Sequence, residues 1–451
     1  MQPASRKLFG SLLLACAVCI TQACGGYWAR PATTTTAAPA PAPAAPLPSD
    51  EELTAGTIRF LEERVRQDPL DFIAYNKLCG YYLQRQRETG DVQYLELARR
   101  AADASLKAIP AGQNPGGLAA LARAEFTAHD FAAARDHARQ LTTLEPRKGS
   151  SYELLGDALL ELGDYDQAQA AFAQLEQLNG AKSLSANLRR ARLAQLRGQA
   201  DEARTHYQIA LTLALEPVPP DRETVAWCRW QLGEVAFAQG DYAEAERQYR
   251  DALTTFPDYY RAVAGLGRAR AAQSDLAGAI AQYEQVTKRL PDPAFVATLG
   301  DLYKLAGRER EAQAQYTLVE QIARLSALNG QLYNRQLALF YADHDMKPTE
   351  AYTLAAREYE ARRDIYGADA VAWAALKAGK LAEAQAAIKE ALRLGTRDAR
   401  LLYHAGLIAR AAGDNAGATD YLKRALALNP QFDPLQARFA QQALAAVSSR
   451  G

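Results

Sequence analysis

LGDYDQAQAAFAQL (162–175), QGDYAEAERQYRDAL (239–253) and AGDNAGATDYLKRAL (412–426) are three spellings of one pattern. Gly-Asp is followed by a small residue (Ala168, Ala245 or Ala418) and, one helical turn later, by Phe172, Tyr249 or Leu422. The residues before Gly163 carry a stripe of their own, with Tyr152, Leu155, Gly156 and Leu159 at helical spacing. Gly takes the left-handed conformation that ends a helix, so Gly163-Asp164 stops the first stripe. Ala168, Phe172 and Leu175 then form the stripe of a second helix, with Ala168 small enough for the two helices to touch. Prolines such as Pro146, Pro257, Pro291 and Pro430 end the second helix and open the next unit.

The turn residue recurs as His129, Gly163, Gly198, Gly240, Ser274, Gly307, Gly379 and Gly413, at steps of 34, 35, 42, 34, 33, 72 and 34 residues. A period of this size means a solenoid, in which no unit can bury its stripe alone and stacked neighbours share one core. Each unit is expected to touch only the units beside it.

The spacing resembles the tetratricopeptide repeat, and ten units fall in register at 72–112, 115–148, 149–182, 184–217, 226–259, 260–292, 293–326, 331–364, 365–398 and 399–432. The resemblance implies an all-α fold, a right-handed α-solenoid of about ten helix-turn-helix repeats over residues 51–432. A half-repeat opens it near Asp50, and the amphipathic stretch at 433–451 supplies a capping helix.

Composition fits that reading. Of 451 residues, 49% are hydrophobic, and Lys+Arg equals Asp+Glu at 52 each. A balanced charge argues against a general nucleic-acid binder, which would show a basic stripe. The N-terminus is separate: Arg6 and Lys7 precede an apolar run from Leu8 to Ile20, and Ala23-Cys24-Gly25 follows. This is a secretory signal over 1–23. Cys directly after the cut resembles a bacterial lipoprotein signal, which implies lipidation of Cys24, although Thr21 stands where that pattern has Leu. Cleavage after Ala23 without a lipid, and lipidation at Cys16, are the alternatives. Residues 24–50 alternate Ala and Pro after a Thr tract, a semi-rigid tether. The chain is therefore expected to be exported, periplasmic and held to a membrane by its lipid alone.

No catalytic constellation emerges. The GLG at 265–267 follows no strand, so Gly267 reads as a helix-crossing residue. The five histidines sit in separate units without metal-ligand spacing, and Asp343-His344-Asp345 reads as a solvated turn. Cys79 and Cys228 lie four units apart, too far for a disulfide in a stacked array, and Cys79 reads as a buried structural thiol. No enzyme activity, cofactor or metal is implied. The carboxylate clamp of some tetratricopeptide co-chaperones is matched at Asn76 alone, since the next first helix offers Ala119 and Glu125.

In this family the first helix of each unit lines a concave groove. The groove places include Glu153, Asp157 and Glu161 in one unit and Leu188, Arg189 and Arg192 in the next, which favours neither charge sign. Trp227, Trp230, Glu234 and Phe237 follow the same spacing, and Trp373 falls on another first helix. The resemblance implies a scaffold that binds protein or peptide partners in cell-envelope assembly or secretion. The aromatic segment offers the alternative of a carrier or sensor for a small apolar or carbohydrate ligand.

Overall fold

The computed structural model describes residues 50–328 and 334–448; Cys16, Cys24, Trp28, the signal and the tether lie outside the described residues. Among the described residues there are 22 helices and no strand. A single helix, α1 (Asp50–Gln67), leads into ten helix pairs. In order these are α2 (Phe72–Thr89) with α3 (Gln93–Ala108), α4 (Pro115–Thr127) with α5 (Phe131–Leu144), and α6 (Gly149–Glu161) with α7 (Tyr165–Asn179). Next come α8 (Leu184–Leu196) with α9 (Ala200–Leu215), α10 (Arg222–Ala238) with α11 (Tyr242–Thr255), and α12 (Tyr260–Ala272) with α13 (Leu276–Arg289). The last four are α14 (Pro293–Leu305) with α15 (Glu309–Leu328), α16 (Asn334–Asp343) with α17 (Pro348–Ala361), α18 (Ile365–Lys377) with α19 (Leu381–Ala391), and α20 (Ala399–Ala411) with α21 (Asn415–Leu428). A final helix, α22 (Gln436–Ser448), packs on α21. The all-α solenoid expected from the period is what the chain forms.

The Gly-Asp signature works as local chemistry. Gly163, Gly240 and Gly413 have φ of 77°, 76° and 80°, and the amide of the following Asp donates back to the first helix, as Asp164 does to the Leu159 carbonyl at 2.9 Å. That 6→1 bond satisfies one of the carbonyls a helix end leaves orphaned. The Asp then starts the second helix: the carboxylates of Asp241 and Asp414 accept the amides of Glu244 and Gly417 at 3.1 and 2.8 Å. His129 and Ser274 hold the same left-handed place without being Gly, at φ 63° and 68°.

Within a pair, the aromatic of the second helix lies on the small residue of the first. A Cβ on Gly156 would stand 2.3 Å from Phe172, one on Gly233 2.4 Å from Tyr249, and one on Gly267 2.8 Å from Tyr283. Gly267 is thus a crossing residue, as its sequence context predicts. Between pairs, first helices touch (α2 with α4, α10 with α12, α16 with α18), while most second helices pack on the next first helix, as α5 does on α6 and α11 on α12. The first helices therefore form an inner row.

The expectation that units touch only their neighbours is overturned. The turn of one pair meets the loop of a pair about 200 residues later, again and again. A Cβ on Gly90 would collide with Leu290, one on Gly163 with the Arg363 carbonyl, and one on Gly198 with Arg397; Gly240 lies beside Leu428. Polar contacts follow the same offset. The Ile365 amide donates to the Tyr165 hydroxyl at 2.9 Å, Arg393 donates to the Gly163 carbonyl at 2.8 Å, and Glu161 pairs with Arg362. Asn429 donates to the Phe237 carbonyl at 2.8 Å and accepts from Tyr242 at 2.6 Å. A small rotation per repeat adds up. After about six pairs the path has come round far enough for one turn of the solenoid to rest on the previous one.

Candidate partner-binding face

The inner row carries most of the ionic side chains that sequence spacing assigns to a groove, and they are paired with one another across neighbouring first helices. Arg189 on α8 reaches Asp157 on α6 with two bonds of 3.1 and 2.6 Å, and Glu153 at 2.8 Å. Glu234 on α10 accepts from Arg268 on α12 at 2.5 Å and from the Tyr249 hydroxyl at 2.7 Å. Asp301 on α14 pairs with His344 at 2.7 Å, and Asp369 on α18 with His404 on α20 at 2.9 Å. Burial pushes the Glu153 and Asp301 carboxyls up, against the pull of Arg189 and His344. A ladder of this kind joins pairs between α6 and α20, and these side chains satisfy one another there.

Asp343-His344-Asp345 is not the solvated turn its polarity suggests. His344 is nearly enclosed, with the Tyr316 and Phe340 rings each 4.7 Å from its own. Asp343 accepts the Trp373 indole N–H at 2.9 Å, and only Asp345 is exposed. Sequence reading missed both partners because Asp301 and Trp373 come from helices 30 to 43 residues away. No group of three His, Cys, Asp or Glu side chains among the described residues could hold a metal ion. Cys79 and Cys228 are both free and buried, and burial pushes each thiol up to about 12.

The aromatic positions separate into two sets. Trp373 is 0% exposed and stacks on His404 at 4.3 Å, so it belongs to the core and not to a groove. Phe237 is 4% exposed beneath the Arg268 guanidinium, 4.2 Å from its ring, and it too leaves the predicted set. Both faces of these helices are packed, which the period alone does not reveal. Trp227 and Trp230 are half-buried, with rings 6.5 Å apart. Trp227 meets Tyr207 edge-on at 6.0 Å. Arg261 lies between Trp230 and Tyr260, at 5.3 and 5.2 Å, and Tyr260 continues to Phe295 at 6.1 Å. Half-buried aromatics thus run over three consecutive first helices, α10, α12 and α14; Tyr260 and Phe295 extend a run of which sequence spacing exposes only the two tryptophans.

Tetratricopeptide-repeat models match this chain. One such family model covers residues 182–258, and a second covers 119–166, 231–293 and 371–431. The repeats so matched include α10 to α13, the centre of the aromatic run. No curated protein sequence matches the chain significantly. Among solved structures, a tetratricopeptide protein of Thermus thermophilus, TTC0263, aligns over 43% of this chain and 98% of its own, with 22% identity and a TM-score of 0.36. PilW, a type IV pilus biogenesis factor, aligns over 45% and 91%, with 18% identity and a TM-score of 0.39. A human IFIT1 dimer with PPP-AAAA aligns over 83% and 87%, with 13% identity and a TM-score of 0.47.

Proposed function

We propose that this chain is a non-catalytic scaffold that holds protein or peptide partners against its inner row of first helices, anchored at the aromatic run from Trp227 to Phe295. The observation that carries the reading is that Asp157 with Arg189 and Glu234 with Arg268 satisfy each other in the middle of this row while the aromatics of α10, α12 and α14 stay half-buried. Hot spots at protein interfaces are enriched in Trp, Tyr and Arg, and the run offers Trp227, Trp230, Tyr260 and Arg261. The run is open along three helices and not closed around one small molecule, which favours an extended partner over the carrier reading.

Export and lipidation at Cys24 complete the proposal: a tether of about 25 residues would let the repeats face partners in the cell envelope while the lipid stays in a membrane. Metabolic acyl labelling should mark the wild-type chain and vanish in Cys24→Ala but not in Cys16→Ala. For the binding face, the variant W227A/W230A should keep its melting temperature within a few degrees and lose crosslinked partners recovered from the native envelope. A large drop in melting temperature with partners retained would mean that both tryptophans are core residues and that the face lies elsewhere.

A further inference from the structure

The crease between α2 and α4, at the N-terminal end of the inner row, holds a cavity of about 320 Å³. We propose that it docks an extended segment of a partner protein carrying a large apolar side chain next to a carboxylate. The inference rests on the scaffold reading above and adds a second, chemically distinct anchor to it.

Three observations point to that occupant. The walls are apolar, with Ile73 and Leu83 on α2 and Ala120 on α4, and the volume suits one branched or aromatic side chain with its flanking backbone. Ile73 is 51% exposed, and Leu70, in the turn before the same helix, is 71% exposed, so exposed apolar surface lies near the mouth.

Charge is the second observation. Lys77 and Arg123 line the cavity from opposite helices, both are exposed, and no carboxylate shares the lining. Farther along the inner row, Arg189 and Arg268 each have an acidic partner within 3.1 Å. Glu153, the carboxylate whose charge Arg123 feels, is taken by Arg189 at 2.8 Å. Two cations facing one apolar slot select a ligand that brings the missing negative charge.

The third is Gly80, midway along α2. A Cβ there would meet nothing within 4 Å, so no packing demands Gly. Gly inside a helix is less stable than Ala, so its presence there asks for a reason. Its bare backbone keeps the crease open for a second chain to approach closely. Asn76, the residue that matches a carboxylate clamp, is turned to other work. It accepts from Ser105 at 2.6 Å and donates to Asn114 at 3.0 Å, tying α2 to the start of α4.

The test uses the full chain and a dye-labelled, C-terminally amidated peptide, Gly-Gly-Leu-Asp-Gly-Gly, read by fluorescence polarisation at low and high salt. Saturable, salt-sensitive binding is expected. Changing the peptide's Leu to Ser or its Asp to Asn should weaken binding at least about fivefold, as should K77A/R123A in the protein. Gly80→Leu should fill the crease and remove binding while leaving the melting temperature equal or higher, which separates occlusion from misfolding. W227A/W230A should bind this peptide normally. Binding that ignores the Asp, K77A/R123A or G80L, or no binding at all, overturns the proposal. If it fails while W227A/W230A still releases envelope partners, the scaffold reading stands without this anchor.

Discussion

Gly163 and Gly413 occupy the same place in their repeats and share the same left-handed backbone, yet they face different surroundings. A Cβ on Gly413 meets nothing within 4 Å, whereas one on Gly163 would stand 2.2 Å from the Arg363 carbonyl. The local cost of Ala at positive φ is about 1–2 kcal/mol in either case. Gly413→Ala should therefore lower stability by about that amount. Gly163→Ala should cost clearly more, because a backbone carbonyl from the next turn of the solenoid has to move. Denaturant titration of the two variants checks this; equal losses would mean that the contact at Arg363 yields freely. The same comparison explains why the turn residue could be found from sequence and its partner could not. Left-handed backbone leaves a mark on composition, and a neighbour 200 residues away does not.

At the scale of elements, first helices are joined to one another by buried polar pairs, and His344 makes one of them pH-dependent. Burial disfavours its charged form, but the Asp301 carboxylate, the Phe340 carbonyl and the nearby Asp343 outweigh burial and raise the imidazole above its usual 6.5. A raised folded-state value gives stability that is complete below 6.5 and lost as pH rises through the higher folded value. The wild type should therefore lose melting temperature as pH rises above about 6.5, and His344→Gln should flatten that slope while lowering stability below it. A slope unchanged in the variant would show that the α14–α16 link stays in one protonation state. Trp373 belongs to the same scale. Stacked on His404 and bonded to Asp343, it joins α18, α20 and α16, a role a groove residue could not have. Its helix was legible from spacing, but its facing was not, because a first helix packed on both sides has apolar residues all round.

For the molecule as a whole, the contacts between successive turns change what kind of array this is. In a solenoid with neighbour contacts only, the loss of one bond is felt locally. Here the hydroxyl of Tyr165 satisfies the buried Ile365 amide at 2.9 Å, so Tyr165→Phe leaves that amide without its partner. The expected cost is about 1–3 kcal/mol. Hydrogen exchange should speed up at the start of α18 as well as near the substitution. Exchange that rises only around residue 165 would argue that the two turns do not bear on each other.

The 34-residue period, the Gly-Asp turns and the small residues opposite Phe172, Tyr249 and Tyr283 determined the helix pairs, their number and their order. All of these act between residues close in sequence, within a helix end or one helix crossing. Tertiary structure alone decided that Trp373 and Phe237 are core, that the acids and bases of the inner row pair among themselves, and that Lys77 and Arg123 are left facing an apolar crease. It also decided that Gly163 lies against Arg363. Each of these depends on the angle at which one pair is set on the next, and on how that angle accumulates over six pairs. That angle is fixed by side-chain packing across the whole stack, so no short stretch of the chain records it.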